Sequence, residues 1–542
     1  MPTPTGLSAE SEALVGALRS RAAAGKSWRH PTGPDPELAA LVARGELASV
    51  PALFPLALAG PQDWLPALRA AVSALARPWL LDHLIALDQR LRTGYSLPGR
   101  YEAWGQLSAA TLGRLPVAND EDVLFLGLCA SHPDGRVREQ VVIRLARARS
   151  EAALPFLLIR LNDWVPSIRV RARTAVIDFL EPASASLLVR WLPLFDRLAR
   201  TTRATHGDLL ELVGNVLADP ASRAGLESGL RSADARVRRR CYPIAAAVAG
   251  GTLEALLARG AQDPDVLVRL WAIREGRALP ASELRSALMV NAAGDPSAQI
   301  RRIAFDHWRA QTGAEAEAIQ ERFLLDVSAG IRGDAQDDRR ARGLPDPAPW
   351  YRAHLDGAAA AGLLGALAGV VETGGPEDFD LILRYLDHSR AKVRRLALRG
   401  LNRLAPERAL PFLLEALLQA VGPVAGEAVR CLSRRLDEID PAGLWAGAPE
   451  GDGLAVRRRL LLLYRGLPKW VALEFILRGV ASSAPRLQRL ALQELAAWNG
   501  GFNRRMAPLP AEDRDQLRLL LDAVEHRIAP GMVAQLRFVL RA

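Results

Sequence analysis

Three groups of residues in this 542-residue chain could do chemistry: eight histidines, three cysteines, and 70 basic side chains set against 60 acidic ones. The histidines, His30, His83, His132, His206, His307, His354, His388 and His526, are scattered, and no pair has the His-x-x-x-His spacing of a helix-borne metal site. Cys129, Cys241 and Cys431 lie far apart and form no Cys-x-x-Cys pair. The chain also lacks a P-loop, a Gly-x-Ser-x-Gly elbow and a dinucleotide fingerprint. It therefore offers no catalytic residue, no metal ligand set and no cofactor site, and it reads as more non-catalytic than enzymatic.

The basic residues are more informative. Formal net charge is +10, yet only Lys26, Lys392 and Lys469 are lysines. A GC-rich coding genome accounts for arginine over lysine, and a charge of this size matters for partners only where it gathers on one face. Many of the arginines recur in a five-residue pattern of an aliphatic residue, Arg, two variable positions and a small or apolar residue. Its anchors are Val137, Ile168, Val237, Val268, Ile300, Ile331, Val393 and Val456, at steps of 31, 69, 31, 32, 31, 62 and 63 residues. The long steps are close to two copies of the short one. Val424 with Ala428, Leu487 with Ala491 and Leu517 with Leu521 continue the series. A fixed period near 31 indicates stacked supersecondary units rather than one globular core.

The elements that carry the pattern are helices. At 49% hydrophobic and 6% aromatic residues, mostly Ala and Leu, the chain favours helix and has ample apolar surface to bury. Pro133-Asp134-Gly135 turns the chain into a helix reaching about Arg149, a second helix spans Glu151 to Leu161, and Pro166 opens the next. The second helix of that unit recurs far downstream: Ala153-Leu154-Pro155-Phe156-Leu157-Leu158 returns as Ala409 to Leu414. With the anchor at 0°, the small residue four on falls at about 40° and the repeated arginine at about 100°, inside the buried arc. A buried guanidinium requires a partner. Asp134, Asp234 and Asp265, three residues before their anchors, are the carboxylates the turn pattern points to.

This arrangement resembles HEAT repeats, in particular the short bacterial type of about 30 residues shared with phycobilisome lyase-type proteins, over residues 120 to 525. The resemblance implies an all-α, right-handed α-solenoid of HEAT-like hairpins, roughly 13 to 16 helical pairs, in which turn aspartate and arginine form a ladder between repeats. By resemblance, Arg138, Arg169, Arg238, Arg269, Arg301, Arg394 and Arg457 are structural. Gln488 and the aspartate-free turns at Ser297, Gly453 and Ala484 predict a ladder that weakens toward the C-terminus.

Two positions after each anchor, at about 200°, the chain faces away from the core. Glu139, Val170, Arg239, Leu270, Arg302, Gly333, Arg395, Arg458 and Arg489 stand there. In HEAT arrays this face lines the concave surface, so Arg239, Arg302, Arg395, Arg458 and Arg489 form a candidate basic binding stripe. Two readings follow. One is a protein-protein interaction scaffold or adaptor whose partner is unknown. The other is a nucleic-acid-binding array, DNA-glycosylase-like by analogy of fold, with the stripe on phosphates. The repeat type alone adds chromophore-lyase chemistry as a third.

In chain order, residues 1–119 are expected to form a divergent helical cap, with a helix over 10–24, a turn-rich linker at 28–34 and an aromatic segment from Trp79 to Trp104. Residues 120–542 are the array, with irregular loops near 201–208 and 335–350. The polar N-terminus does not look like a signal peptide. The most apolar run, Gly357 to Val371, is too short to cross a bilayer. Widely spaced core thiols suit a reducing compartment, so a cytoplasmic protein without membrane partners is expected.

Overall fold

The computed structural model describes residues 6–24, 35–93, 104–201, 203–356, 362–448, 454–502 and 507–541. The linker at 28–34, Tyr95 and Tyr101 of the aromatic segment, the start of the apolar run at 357–361 and Gly453 lie outside them. Every regular element among the described residues is helical, and the chain divides into two compact units, Met1–Leu288 and Met289–Ala542. Each unit is a stack of HEAT-like helical hairpins, an all-α solenoid architecture. None of the described helices is long and apolar enough to cross a membrane.

In the first unit the repeat is clearest at helix Gly135–Ala148. Asp134 caps it by accepting a hydrogen bond from the Arg136 amide at 2.8 Å, and Arg149, in the left-handed region at φ 45°, ends it. Val137, Val141, Val142 and Leu145 are buried along one face. Removing a side chain as deeply buried as Leu145 costs about 2–5 kcal/mol. The chain then makes a 3-10 turn at Glu151–Ala153, helix Leu154–Arg160 and the next repeat helix, Pro166–Ile177. Before helix Gly207–Ala218 the described residues 199–201 and 203–206 are non-helical.

The N-terminal helices pack on this stack through aromatic side chains. Trp104 is buried, its ring 5.2 Å from Phe54 and 4.8 Å from His132, and its indole N–H donates to the Leu91 carbonyl at 3.3 Å. His132 in turn contacts the Trp104 carbonyl at 3.1 Å, and burial pushes its pKa below the usual histidine value. Trp104 is therefore a core residue. Trp79 is half-buried and donates to the Gly45 carbonyl at 3.0 Å.

The second unit contains the other irregular stretch. Ala335 to Ala341 continue helix Ala329–Ala341, and residues 348–350 already belong to helix Ala348–Asp356, so the loop is confined to 342–347. The helix survives its Asp337-Asp338-Arg339-Arg340 run because Arg340 pairs with Asp337 at 2.6 Å and Arg342 with Asp338 at 2.9 Å. Helix Leu363–Thr373 is rich in glycine for a steric reason. A Cβ at Gly365 would fall on the Leu325 backbone carbonyl, and one at Gly369 on the Tyr351 ring.

The recurring hexapeptide is placed differently in its two copies. Pro155 sits in the first turn of its helix, whereas Pro411 lies inside helix Pro406–Gln419, which begins three residues ahead of the repeated segment.

Candidate binding surface and the arginine ladder

The repeated arginine has the same role at six of its positions, while Arg457 instead donates through Nη2 to the Ala448 carbonyl nine residues earlier at 3.3 Å. At the six, Nη1 donates to the carbonyls six and five residues earlier, in the turn that ends the preceding helix. Arg138 reaches His132 and Pro133 at 3.0 and 2.8 Å, Arg238 reaches Ser232 and Ala233 at 2.7 and 3.2 Å, and Arg394 reaches His388 and Ser389 at 2.6 and 2.8 Å. Arg169, Arg269 and Arg301 do the same. Each guanidinium satisfies turn carbonyls that lie between two helices and belong to neither helix's hydrogen-bond ladder.

The other edge of the guanidinium forms the ladder, and the rung is not the aspartate expected from the sequence. Arg138 pairs with Asp163 at 2.9 and 2.7 Å, Arg238 with Asp263 at 2.8 and 2.8 Å, and Arg301 with Asp326 at 2.6 and 2.8 Å. These carboxylates stand five residues before the next anchor. Asp134, Asp234 and Asp265, three before their anchors, cap their own helices. The residue three before the anchor caps its own helix, and Asp265 pairs in addition with Arg239 of the preceding repeat; the residue five before receives the repeated arginine. Burial opposes ionisation of Asp163, but the hydrogen bonds from Arg138 and the Val165 amide overcome it and hold the pKa below the usual carboxylate value.

Further along, the repeated arginine loses its aspartate: Arg332 takes a glutamate instead, Arg394 holds the His388 and Ser389 carbonyls without a carboxylate among the described residues, and other arginines of the same helices make carboxylate pairs of their own. Arg332 pairs with Glu372, Arg399 with the buried Glu427 at 2.8 and 3.1 Å, and Arg465 with the buried Glu494. The ladder of repeated arginines itself has fewer carboxylate rungs in this part of the chain, and Arg399 and Arg465, six and nine residues after their anchors, make separate helix-to-helix pairs.

The five stripe arginines fall into two classes. Arg239, in the first unit, is bound to Asp265 through two hydrogen bonds of 2.8 and 2.6 Å, which lower the Asp265 pKa to about 2 against the effect of burial. Arg302 is paired with Asp334. Arg395, Arg458 and Arg489 are exposed and have no carboxylate partner among the described residues; Arg489 makes only a 3.4 Å contact to the Pro485 carbonyl. The outward column is also interrupted in the first unit, where Leu270 is buried. Sequence reasoning missed the exposed Trp164, in the turn before Ile168, with the Arg203 guanidinium 4.0 Å above its ring.

Among the described residues no three His, Cys, Asp or Glu side chains gather as a metal site, and the three cysteines are buried free thiols.

The fold places the chain among all-α helical-repeat proteins. No family model and no curated protein matches it. Solved structures similar to it include importin beta in an ammonium sulfate condition, 13% identical over 96% of this chain and 69% of that one, with a TM-score of 0.35. Kap95p in its complex with RanGDP is 12% identical over 91% and 69%, with a TM-score of 0.30. The C-terminal fragment of the Chaetomium thermophilum cohesin loader SCC2 is 14% identical over 90% and 43%, with a TM-score of 0.29. At these values the fold assignment rests on the helices and rungs described above, and no site or partner is carried over.

Proposed function

We propose that this chain is a non-catalytic interaction scaffold whose second unit receives an acidic segment of a protein partner along the column of Arg395, Arg458 and Arg489. In this reading residues 1–119 act as a cap and residues 120–542 as the array. The observation that supports it is the contrast among repeat-equivalent arginines. Arg239 and Arg302 are neutralised by Asp265 and Asp334, while these three guanidiniums stand exposed without a carboxylate. They share one repeat position on helices Ala391–Leu404, Leu454–Tyr464 and Pro485–Gly500, with Gly426 at that position of the intervening helix Pro423–Leu432. Arginine is enriched at binding hot spots because its planar fork recognises carboxylates bidentately.

The test is fluorescence anisotropy with a labelled glutamate-rich peptide and with single- and double-stranded DNA over a salt series, comparing the wild type with an Arg395→Ala, Arg458→Ala, Arg489→Ala triple variant. Peptide binding that the variant loses supports the scaffold. DNA binding that exceeds peptide binding and is lost in the variant puts the nucleic-acid reading in its place. Binding equal in both proteins removes the column from either role.

A further inference from the structure

A cavity of about 370 Å³ in the first unit lies where three irregular parts of the sequence meet. These are helix Leu80–Thr93 of the N-terminal segment, the turn carrying Trp164, and the stretch that contributes Thr201 and Arg203. Its volume is within the range of about 300–1,000 Å³ usual for small-molecule sites.

The wall is a buried ionic cluster that does not balance. Asp163 accepts from Arg138 and from Arg160 at 3.1 Å. Asp88 is paired with Arg160, lies 3.5 Å from Arg92, and accepts from the Ser131 hydroxyl at 2.8 Å. Three guanidiniums, Arg92, Arg138 and Arg160, thus share two carboxylates. Burial pushes the Arg92 pKa below the usual arginine value, and the attraction of Asp88 only partly offsets it. Arg160, 2% exposed, has its Nε without a hydrogen-bond partner, and so does the Asn162 Oδ1 beside it.

Two more arginines line the same cavity. Arg197 has no partner among the described residues, and Arg203 contacts only the Trp164 ring and, at 3.4 Å, the Asn162 carbonyl. The excess is one positive charge in the largely buried wall, with two further guanidiniums, the solvent-exposed Arg197 and Arg203, along the lining. An uncompensated buried charge is costly, and a ligand that brings negative charge relieves it. Beside Gln89 and Thr201, the rest of the lining, Ile85, Ile159, Leu194, Leu198 and the Trp164 indole, is apolar and suits a compact hydrophobic or planar body.

We infer that this cavity binds a small organic phosphate, its dianionic head held by Arg92, Arg197 and Arg203 and its apolar body against Trp164 and the aliphatic wall. A phosphate monoester fits better than a carboxylate because it supplies about two negative charges and three acceptor oxygens to forked guanidinium donors. The inference is independent of the arginine column in the second unit.

It is tested on the full chain by calorimetric titration with phenyl phosphate, inorganic phosphate, benzoate and phenol. The proteins compared are the wild type, an Arg197→Ala, Arg203→Ala double variant and Trp164→Ala. Phenyl phosphate is expected to bind at least roughly tenfold more tightly than benzoate or phenol, and inorganic phosphate to compete with it. The double variant should weaken phenyl phosphate by at least roughly tenfold with an unchanged melting temperature, and Trp164→Ala should weaken phenyl phosphate while leaving inorganic phosphate unaffected. No heat from either phosphate up to about 10 mM overturns the inference. So does benzoate binding as tightly as phenyl phosphate, or a double variant that binds like the wild type.

Discussion

Arg238 and Asp263 meet across 25 residues through two parallel hydrogen bonds, Nε to Oδ2 and Nη2 to Oδ1, both 2.8 Å, while Nη1 of the same guanidinium holds the Ser232 and Ala233 carbonyls. One side chain thus closes its own turn and fastens the next repeat. The hydrogen bonds that Arg238 donates to Asp263 raise its pKa even though burial acts the other way.

Because both partners are buried, removing one leaves the other charge uncompensated. Asp263→Ala is expected to destabilise the protein by about 3–5 kcal/mol, and the Arg238→Met, Asp263→Ala double variant by clearly less. Urea unfolding followed by circular dichroism measures both. Equal losses would show that the pair contributes nothing beyond packing.

The Asp265 carboxyl, held at about 2 by Arg239, gives an acid-dependent term. Its folded pKa lies below the unfolded value of about 3.9, so its stabilisation is complete above that value and is lost as pH falls from there through about 2. Asp265→Asn keeps a helix cap but removes the titration. Its melting temperature should therefore fall less steeply than that of the wild type between about pH 4 and 2. Identical slopes would exclude this carboxylate from acid unfolding.

Arg302 is withheld from the column by Asp334. Asp334→Ala should release it, strengthening binding of a glutamate-rich peptide several-fold at low salt and making that gain disappear at high salt. An unchanged anisotropy titration would show that Arg302 is out of reach of whatever the other three contact.

Gly365 tests the close approach in the second unit. Its absent side chain leaves room for the Leu325 carbonyl, a backbone group that cannot swing aside. Gly365→Ala is expected to cost about 1–3 kcal/mol or more despite alanine's better helix propensity. Gly333→Ala, at a helix position with open space, should be neutral or stabilising. Thermal melts of the two variants give the comparison.

The period, the helix starts and the buried arc were legible in the residues, because apolar spacing and turn chemistry are local properties. The rung was not. A helical wheel orders residues around one helix and says nothing of the neighbouring repeat, so the choice between Asp263 and Asp265 could not be made from periodicity. A signal was present nonetheless: Ile168 and Ile331 have aspartate five residues before them, Asp163 and Asp326, but Val165 and Ser328 at the position three before. The neutralisation of Arg239 and Arg302 was hidden for the same reason, since Asp265 and Asp334 lie 26 and 32 residues away and meet them only after stacking. Leu270 is buried although its wheel position faces outward.

The two halves of each Arg–Asp rung belong to different repeats yet keep the same separation of 25 residues at Arg138, Arg238 and Arg301. They therefore work as interchangeable connectors: an in-frame duplication or deletion of one such repeat would bring a free arginine to a matching aspartate and restore the join. The glutamates at 372, 427 and 494 sit 40, 28 and 29 residues from their arginines and match no common socket. The early joins at Arg138, Arg238 and Arg301 thus share one geometry, whereas the later Arg–Glu joins are private to the helices they link.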